Sequence, residues 1–351
     1  MALVLLCGAV AAYAGEPAFG EDTPLGGEPN PSFRAVDDAV IRHMQRIDAR
    51  AAVIAISRNG KILYTQGYGW FDADRTTPTP PDTLMRIASV SKPIASSLAF
   101  EAIRSSHMAV NAPVLEVLGV EVEDAPLADK RWRDITVDHL LKHQGGWDGA
   151  LAGDPMFQID RVERAAGLDR PANPSDVVEY MLGQPLQFAP GERTAYANVG
   201  YCILGRVLER ARAQSFSEIL EEFVTQRLGT RDIVVGRDDP ALRHEREVDY
   251  PPEAGAYAVD VLDAAGGMVA SAPALTRYLD RYWITGARRN PFQNGEATFY
   301  GSLPGTSAMV RQRPDRLNVA VLFNNRRDAH IQEDLDRLRR KIDEAITESR
   351  R

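Results

Sequence analysis

The chain has 351 residues, 44% of them apolar and 26% charged, with a formal net charge of −8. These values describe a globular protein of two domains or one large layered domain and exclude a disordered chain. The acidic balance leaves no basic footprint for nucleic acid, and two cysteines are too few for a disulfide framework or a cysteine metal centre.

In chain order, the first segment is "MALVLLCGAVAAYA", Met1 to Ala14. An apolar core ending in a small-residue site reads as a secretory signal, which predicts a periplasmic or secreted bacterial protein. The segment is shorter than the about 20 apolar residues of a membrane span, so no stable membrane insertion is expected after its removal. Residues 15–31, rich in Gly, Pro and Glu, are expected to form a mobile leader. Phe33, Val36, Val40, Met44 and Ile47 recur at helical spacing and predict a helix from Phe33 to Ala49. Two β-rich runs then flank Asn59-Gly60, a hairpin signal. Helices are predicted near 89–106, 136–143, 175–183, 199–213 and 215–228. Three strands, "ATFYGSLPG", "SAMVRQR" and "NVAVLFN", precede a charged helix from Asp328 to Ser349. The expected fold is therefore of the α/β (α+β) class. An antiparallel sheet built from both chain ends (32–100 and 272–351) is flanked by helices and carries an inserted, mostly helical lobe (101–271).

The chemistry starts at "SVSKP", Ser89 to Pro93. Proline is tolerated in the first helical turn, so Pro93 marks a helix entrance near Ser89. Helix N-termini favour developing negative charge, and Lys92 shares the face of Ser89. Burial and the positive helix end lower a lysine pKa, and a neutral lysine can take a proton from a serine hydroxyl. Alone, such a motif is more often a helix cap beside a solvated lysine, but this is the sole S-x-x-K among five lysines and it opens a long apolar helix. Tyr196 and Asn198 follow a Pro-Gly turn and can present a phenol and an amide to a cleft. His139 and His143 have the spacing of a helical zinc pair, but Leu140 stands where a zinc protease needs Glu. No metal and no cofactor are expected. The absence of G-x-S-x-G excludes the α/β-hydrolase route to a serine nucleophile.

"RIASVSK" and "YAN", in this order, resemble the penicillin-recognising serine hydrolases: class C β-lactamases, D-Ala-D-Ala peptidases and related esterases. Ile135 to Trp147, the segment "AAGGMVASAPALTRYL" and "FYGSLPGTSAMV" extend the similarity over most of the chain. The resemblance implies Ser89 as acylated nucleophile, Lys92 as general base, Tyr196 as proton relay and Asn198 as the amide orienting substrate and lysine. It also implies an oxyanion hole from the backbone N–H groups of Ser89 and Ser302.

One motif departs. The family's Lys-Thr-Gly or His-x-Gly is replaced by Phe299-Tyr300-Gly301, so a cation facing a substrate carboxylate is missing. His143-Gln144-Gly145 spells the motif but precedes the tyrosine loop, on a helix end. Substrates with a carboxylate beside the scissile bond are therefore expected to be poor unless another cation, such as Arg311 or Arg313, serves. Phe299, Tyr300, Gly301 and Ser302 are expected to contact substrate. Trp147 and Asp148 are read either as substrate contacts or as packing, and Arg246 to Asp260 as a surface loop able to wall the cleft. The expected function is an exported hydrolase of small esters, amides or peptides, more esterase-like than β-lactamase. A cell-wall peptidase or β-lactamase, and a non-catalytic binding protein of the same fold, are the alternatives.

Overall fold

The structure, a computed structural model, describes residues 23–120, 127–290 and 293–348. The expected signal Met1 to Ala14 lies outside the described residues. Among the described residues, nine strands follow in chain order: β1 (Leu25–Gly26), β2 (Ala51–Arg58), β3 (Lys61–Gly69), β4 (Leu84–Arg86), β5 (Ile233–Val235), β6 (Met268–Ser271), β7 (Ala297–Leu303), β8 (Thr306–Gln312) and β9 (Leu317–Phe323). Six of them form one sheet in the order β1-β3-β2-β9-β8-β7, every neighbouring pair antiparallel. The two chain ends meet where β2 pairs β9, with Ala52 opposite Phe323.

Alternation along these strands builds two cores, because successive strand residues face opposite sides. Ala51, Val53 and Ala55 of β2 join Ala320 and Leu322 of β9 in the core shared with the helical lobe. Ala52, Ile54 and Ile56 join Val319 and Val321 beneath the helices Arg34–Ile47 and Ile331–Glu348. Burying each of the valine, leucine and isoleucine side chains contributes about 1.5–3 kcal/mol, which favours strands β2 and β9 that are apolar on both faces.

The last part of the expected leader is not free. Leu25 and Gly26 pair with Tyr68 and Gly67 of β3, and the Gln66 amide donates to Gly26 O at 2.6 Å. A buried amide needs an acceptor, and this short strand supplies it.

A second sheet that periodicity did not reveal, in the order β4-β6-β5, joins β4 of the first part of the chain to two strands of the inserted lobe. Its strands have three or four residues, too few for an alternation to register. Its place in the fold is what matters. Arg86 pairs with Val269, so the chain entering Ser89 lies beside the chain leaving Ala265. The segment Arg246 to Asp260 is more than a surface loop: Val248, Ala254 and Tyr257 are buried. The Tyr250 hydroxyl accepts from the Arg86 N–H at 2.7 Å, and Ala254 O accepts from the Arg86 guanidinium at 2.8 Å. Among the described residues, no helix is long and apolar enough to cross a membrane.

Candidate active site

Ser89 sits in a 3-10 turn (Ala88–Val90) that runs straight into the helix Ser91–Arg104, with Pro93 inside the first turn, where its missing N–H leaves no bond unmade. Ala88 is left-handed at φ 46°, a conformation that costs a non-glycine residue on the order of 1–3 kcal/mol. The turn is held by β4 and by Ser91 Oγ, which accepts from Met268 N at 3.2 Å. Opposite it, β7 passes so close that a Cβ on Gly301 would stand 2.1 Å from Ile87 O and 3.2 Å from Ser89 N. Only glycine lets that strand lie against the nucleophile turn.

Lys92 is 1% exposed. Its Nζ donates to Asn198 Oδ1 at 2.6 Å and to Ala265 O, and lies 3.3 Å from Ser89 Oγ. Burial brings its pKa down to about 7, against an opposing pull from the Asp154 charge. A neutral amine has two N–H groups and one lone pair. Two carbonyl oxygens occupy the N–H groups, so the lone pair is left for the Ser89 hydroxyl. From the other side the Tyr196 hydroxyl lies 2.6 Å from Ser89 Oγ. Half of Tyr196 is exposed, but desolvation of its inward hydroxyl pushes the pKa up to about 12, with the Ser89 contact opposing. The phenol therefore stays protonated and can donate to Ser89.

Three further residues complete the site and were not assigned from sequence. Asp154 accepts from both the backbone N–H (3.1 Å) and the side-chain amide (2.8 Å) of Asn198. It satisfies a free donor at the start of the helix Asn198–Arg212 and turns the amide oxygen towards Lys92. The His143 ring stacks on Tyr196 at 4.6 Å between centroids, and its Nδ1 accepts from Ala197 N at 3.3 Å. Burial, then the Lys92 charge, bring His143 down to about 4, so it is a neutral support for the phenol. His139 instead accepts from Thr136 N within a helix cap, so the two histidines serve different loops. Ala265 contributes only its carbonyl, which no side-chain pattern encodes.

The other expected residues separate by strand face. Ser302 lines the same cavity of about 560 Å³ as Ser89, Tyr196 and Asn198, although strand alternation puts its side chain on the Tyr300 face of β7. Phe299 packs against the lobe core. Tyr300 faces the opposite side of the sheet, where its hydroxyl donates to Asp336 at 2.9 Å; it cannot contact a substrate at Ser89. Trp147 is 4% exposed and meets Trp132 edge-on at 5.2 Å; it lines a neighbouring cavity with Asp154 and Ala197 and not the one at Ser89. Asp148 pairs with Arg193 at 2.7 Å. Arg311 and Arg313 are both committed to Asp343, away from the cavity.

The sequence pattern of the beta-lactamase family matches residues 36–299. Esterase EstB of Burkholderia gladioli is 33% identical over 200 residues, covering 56% of this chain and 49% of that protein. A probable fimbrial assembly protein FimD of Dichelobacter nodosus is 29% identical over 236 residues, covering 64% and 55%. The chain thus spans about half the length of these curated relatives. Among solved structures, the D-amino acid amidase of Ochrobactrum anthropi superposes with a TM-score of 0.68 at 17% identity, covering 92% of this chain and all of that one. A beta-lactamase/D-alanine carboxypeptidase of Yersinia pestis gives 0.67 at 14% identity, covering 90% and 98%. The matched pattern spans most of the sequence, and the chain belongs to the beta-lactamase family, a family of serine hydrolases.

Proposed function

We propose that this protein hydrolyses esters or amides through an acyl-enzyme on Ser89, with small esters preferred over β-lactams. The single observation that carries this reading is the Lys92 amine, whose two N–H groups are taken by Asn198 Oδ1 and Ala265 O while Ser89 Oγ lies 3.3 Å away. Lys92 takes the Ser89 proton as Oγ attacks the substrate carbonyl carbon. The backbone N–H groups of Ser89 and Ser302 receive the oxyanion, and such donors typically contribute about 2.7–4 kcal/mol each. The proton then passes by way of Tyr196 to the departing alkoxide or amine as its bond to carbon breaks. Water, deprotonated by the same pair, cleaves the acyl-enzyme and returns the proton to Ser89. The preference for esters is supported by the likeness to an esterase and by Phe299, which puts an apolar ring where the family's third motif carries a cation. Export through Met1 to Ala14 belongs to the same proposal.

Intact-mass measurement after exposure to a fluorophosphonate, a short acyl ester and a fluorescent penicillin tests it. One adduct from the fluorophosphonate, absent in Ser89→Ala, and turnover of the ester are expected. Stoichiometric labelling of the alanine variant would remove Ser89 from its role. Turnover of penicillin faster than of esters would make the protein a β-lactamase or cell-wall peptidase instead.

A further inference from the structure

We propose that the cavity behind Asn198, lined by Asp154 and Arg161, is a second ligand site, which takes a small zwitterion of the amino-acid type with an apolar side chain and is coupled to Lys92 through Asp154. The cavity measures about 280 Å³, and Trp147, Asp154, Arg161, Tyr180, Met181 and Val199 are among its lining. That volume is at the small end of ligand pockets and suits a molecule of amino-acid size. It shares no lining residue with the catalytic cavity. Its walls come from separate elements: Asp154 caps the turn Pro155–Phe157, Arg161 stands on the helix Ile159–Ala166, and Tyr180 and Met181 stand on the helix Pro174–Leu182.

Charge selects the ligand. The lining holds one carboxylate, Asp154, and one guanidinium, Arg161. Among the described residues, neither has an oppositely charged partner within ion-pair distance. Asp154 Oδ2 accepts twice from Asn198 and Oδ1 accepts from Met156 N at 3.0 Å. A carboxylate has about four lone-pair sites, so one stays open. The Arg161 guanidinium donates to Gln158 Oε1 at 3.4 Å and lies 6.0 Å from the Tyr180 ring centroid, which leaves its fork for a carboxylate. A cation alone leaves Arg161 unmatched and an anion alone leaves Asp154 unmatched; a zwitterion matches both. Trp147 and Tyr180 offer aromatic walls, which a thioether or aliphatic side chain packs against.

Occupancy reaches Lys92 through the same carboxylate. The Asp154 charge favours the ammonium form of Lys92, so a ligand ammonium beside Asp154 offsets it and Lys92 becomes neutral at lower pH. The other groups facing Lys92 are His143 and the rings of Tyr196 and Tyr201. Burial lowers the first to about 4 and raises both phenols, so none of them carries charge at neutral pH. Coupling is reciprocal, and the ligand binds more tightly once Lys92 has lost its proton.

Isothermal titration calorimetry on the full chain compares both enantiomers of methionine with 3-(methylthio)propylamine and 4-(methylthio)butanoate, each of which lacks one charge. One enantiomer binds at least about tenfold more tightly than either analogue, the range of a charge-assisted bond. It binds equally in protein whose Ser89 carries the fluorophosphonate adduct. Arg161→Gln, at an exposed position, lowers the affinity for methionine to that of the amine and leaves ester turnover without ligand unchanged. Saturating methionine moves the acid limb of log kcat/KM to lower pH in the wild type and not in Arg161→Gln. Absence of binding, equal binding of either analogue, or affinity that survives Arg161→Gln overturns the site. Loss of binding in the adduct places methionine in the catalytic cavity and overturns it as well. An acid limb that stays in place while methionine binds overturns the coupling. Failure of fluorophosphonate to label Ser89 overturns the acyl-enzyme reading instead, and the titrations of wild type and Arg161→Gln still decide the second site.

Discussion

The Tyr196 hydroxyl is nearer to Ser89 Oγ, at 2.6 Å, than the Lys92 amine is, at 3.3 Å. The nearer group holds its proton until about pH 12 and the farther one loses it near 7. On the proposed mechanism base and relay are thereby distinguished: Lys92 accepts the proton of Ser89, and Tyr196 donates to the same oxygen and hands protons on. Lys92→Ala and Tyr196→Phe should each lower kcat by about 10²–10⁴-fold. The double variant should lose far less than the product of the two, because residues acting as one unit are not additive. Steady-state kinetics on a short ester reads this out, and strict multiplicativity would assign the two residues to separate steps.

Activity should fall on the acid side. The base is active only when neutral, so log kcat/KM should rise with unit slope up to about pH 7, the Lys92 value, and level above it. Neither Tyr196, at about 12, nor His143, at about 4, should titrate between pH 5 and 9. The Asp154 charge favours the ammonium form of Lys92, so Asp154→Asn should shift the acid limb to lower pH while an acceptor for Asn198 remains. Asp154→Ala should add a drop in kcat through loss of Asn198 orientation. A limb that stays in place in Asp154→Asn would mean that Lys92 does not govern it.

The ion pair behind the site is a stability matter. Arg206 and Asp263 lie 2.5 Å apart, 9% and 6% exposed, where Asp263 (φ 7°, ψ −97°) interrupts the helix Val259–Gly266. Arg206→Met strands a buried carboxylate and should cost about 3–5 kcal/mol in urea unfolding, whereas Arg206→Met with Asp263→Leu should recover most of it. A double variant as unstable as the single would show that geometry, not charge, is what the pair contributes.

Gly301→Ala should act on rate more than a surface methyl would. The new Cβ meets Ile87 O at 2.1 Å, so β7 must move away from the nucleophile turn and carry the Ser302 N–H with it. A displacement of about 1 Å at reacting groups costs about 10²-fold. The expected signature is a kcat loss of that order with a native circular dichroism spectrum.

What could be read from the sequence was what repeats or stands close together. The β-rich runs of β2 and β9, the Asn59-Gly60 hairpin and the Ser89–Lys92–Pro93 cluster all declare themselves within a few residues. The face of Tyr300 was also recoverable: if Gly301 lies against Ser89, a period of two turns its neighbour away. Asp154 and Ala265 O could not be found that way. They reach the site only through tertiary pairing, one as a helix cap and one as a backbone carbonyl. His143 was visible as a motif fragment, but its use, stacking beneath Tyr196, depends on two loops meeting.

The pairing of β2 with β9 also sets a timetable. Ser89, Lys92, Tyr196 and Asn198 all precede β7 to β9 in the order of synthesis, yet those strands complete the wall around Ser89. Contacts so distant along the chain form slowly, since a long loop must close before they add stability. During that interval the nascent chain carries Ser89 and Lys92 without the wall that β7 supplies, and on the proposed mechanism catalytic competence waits on the C-terminal strands.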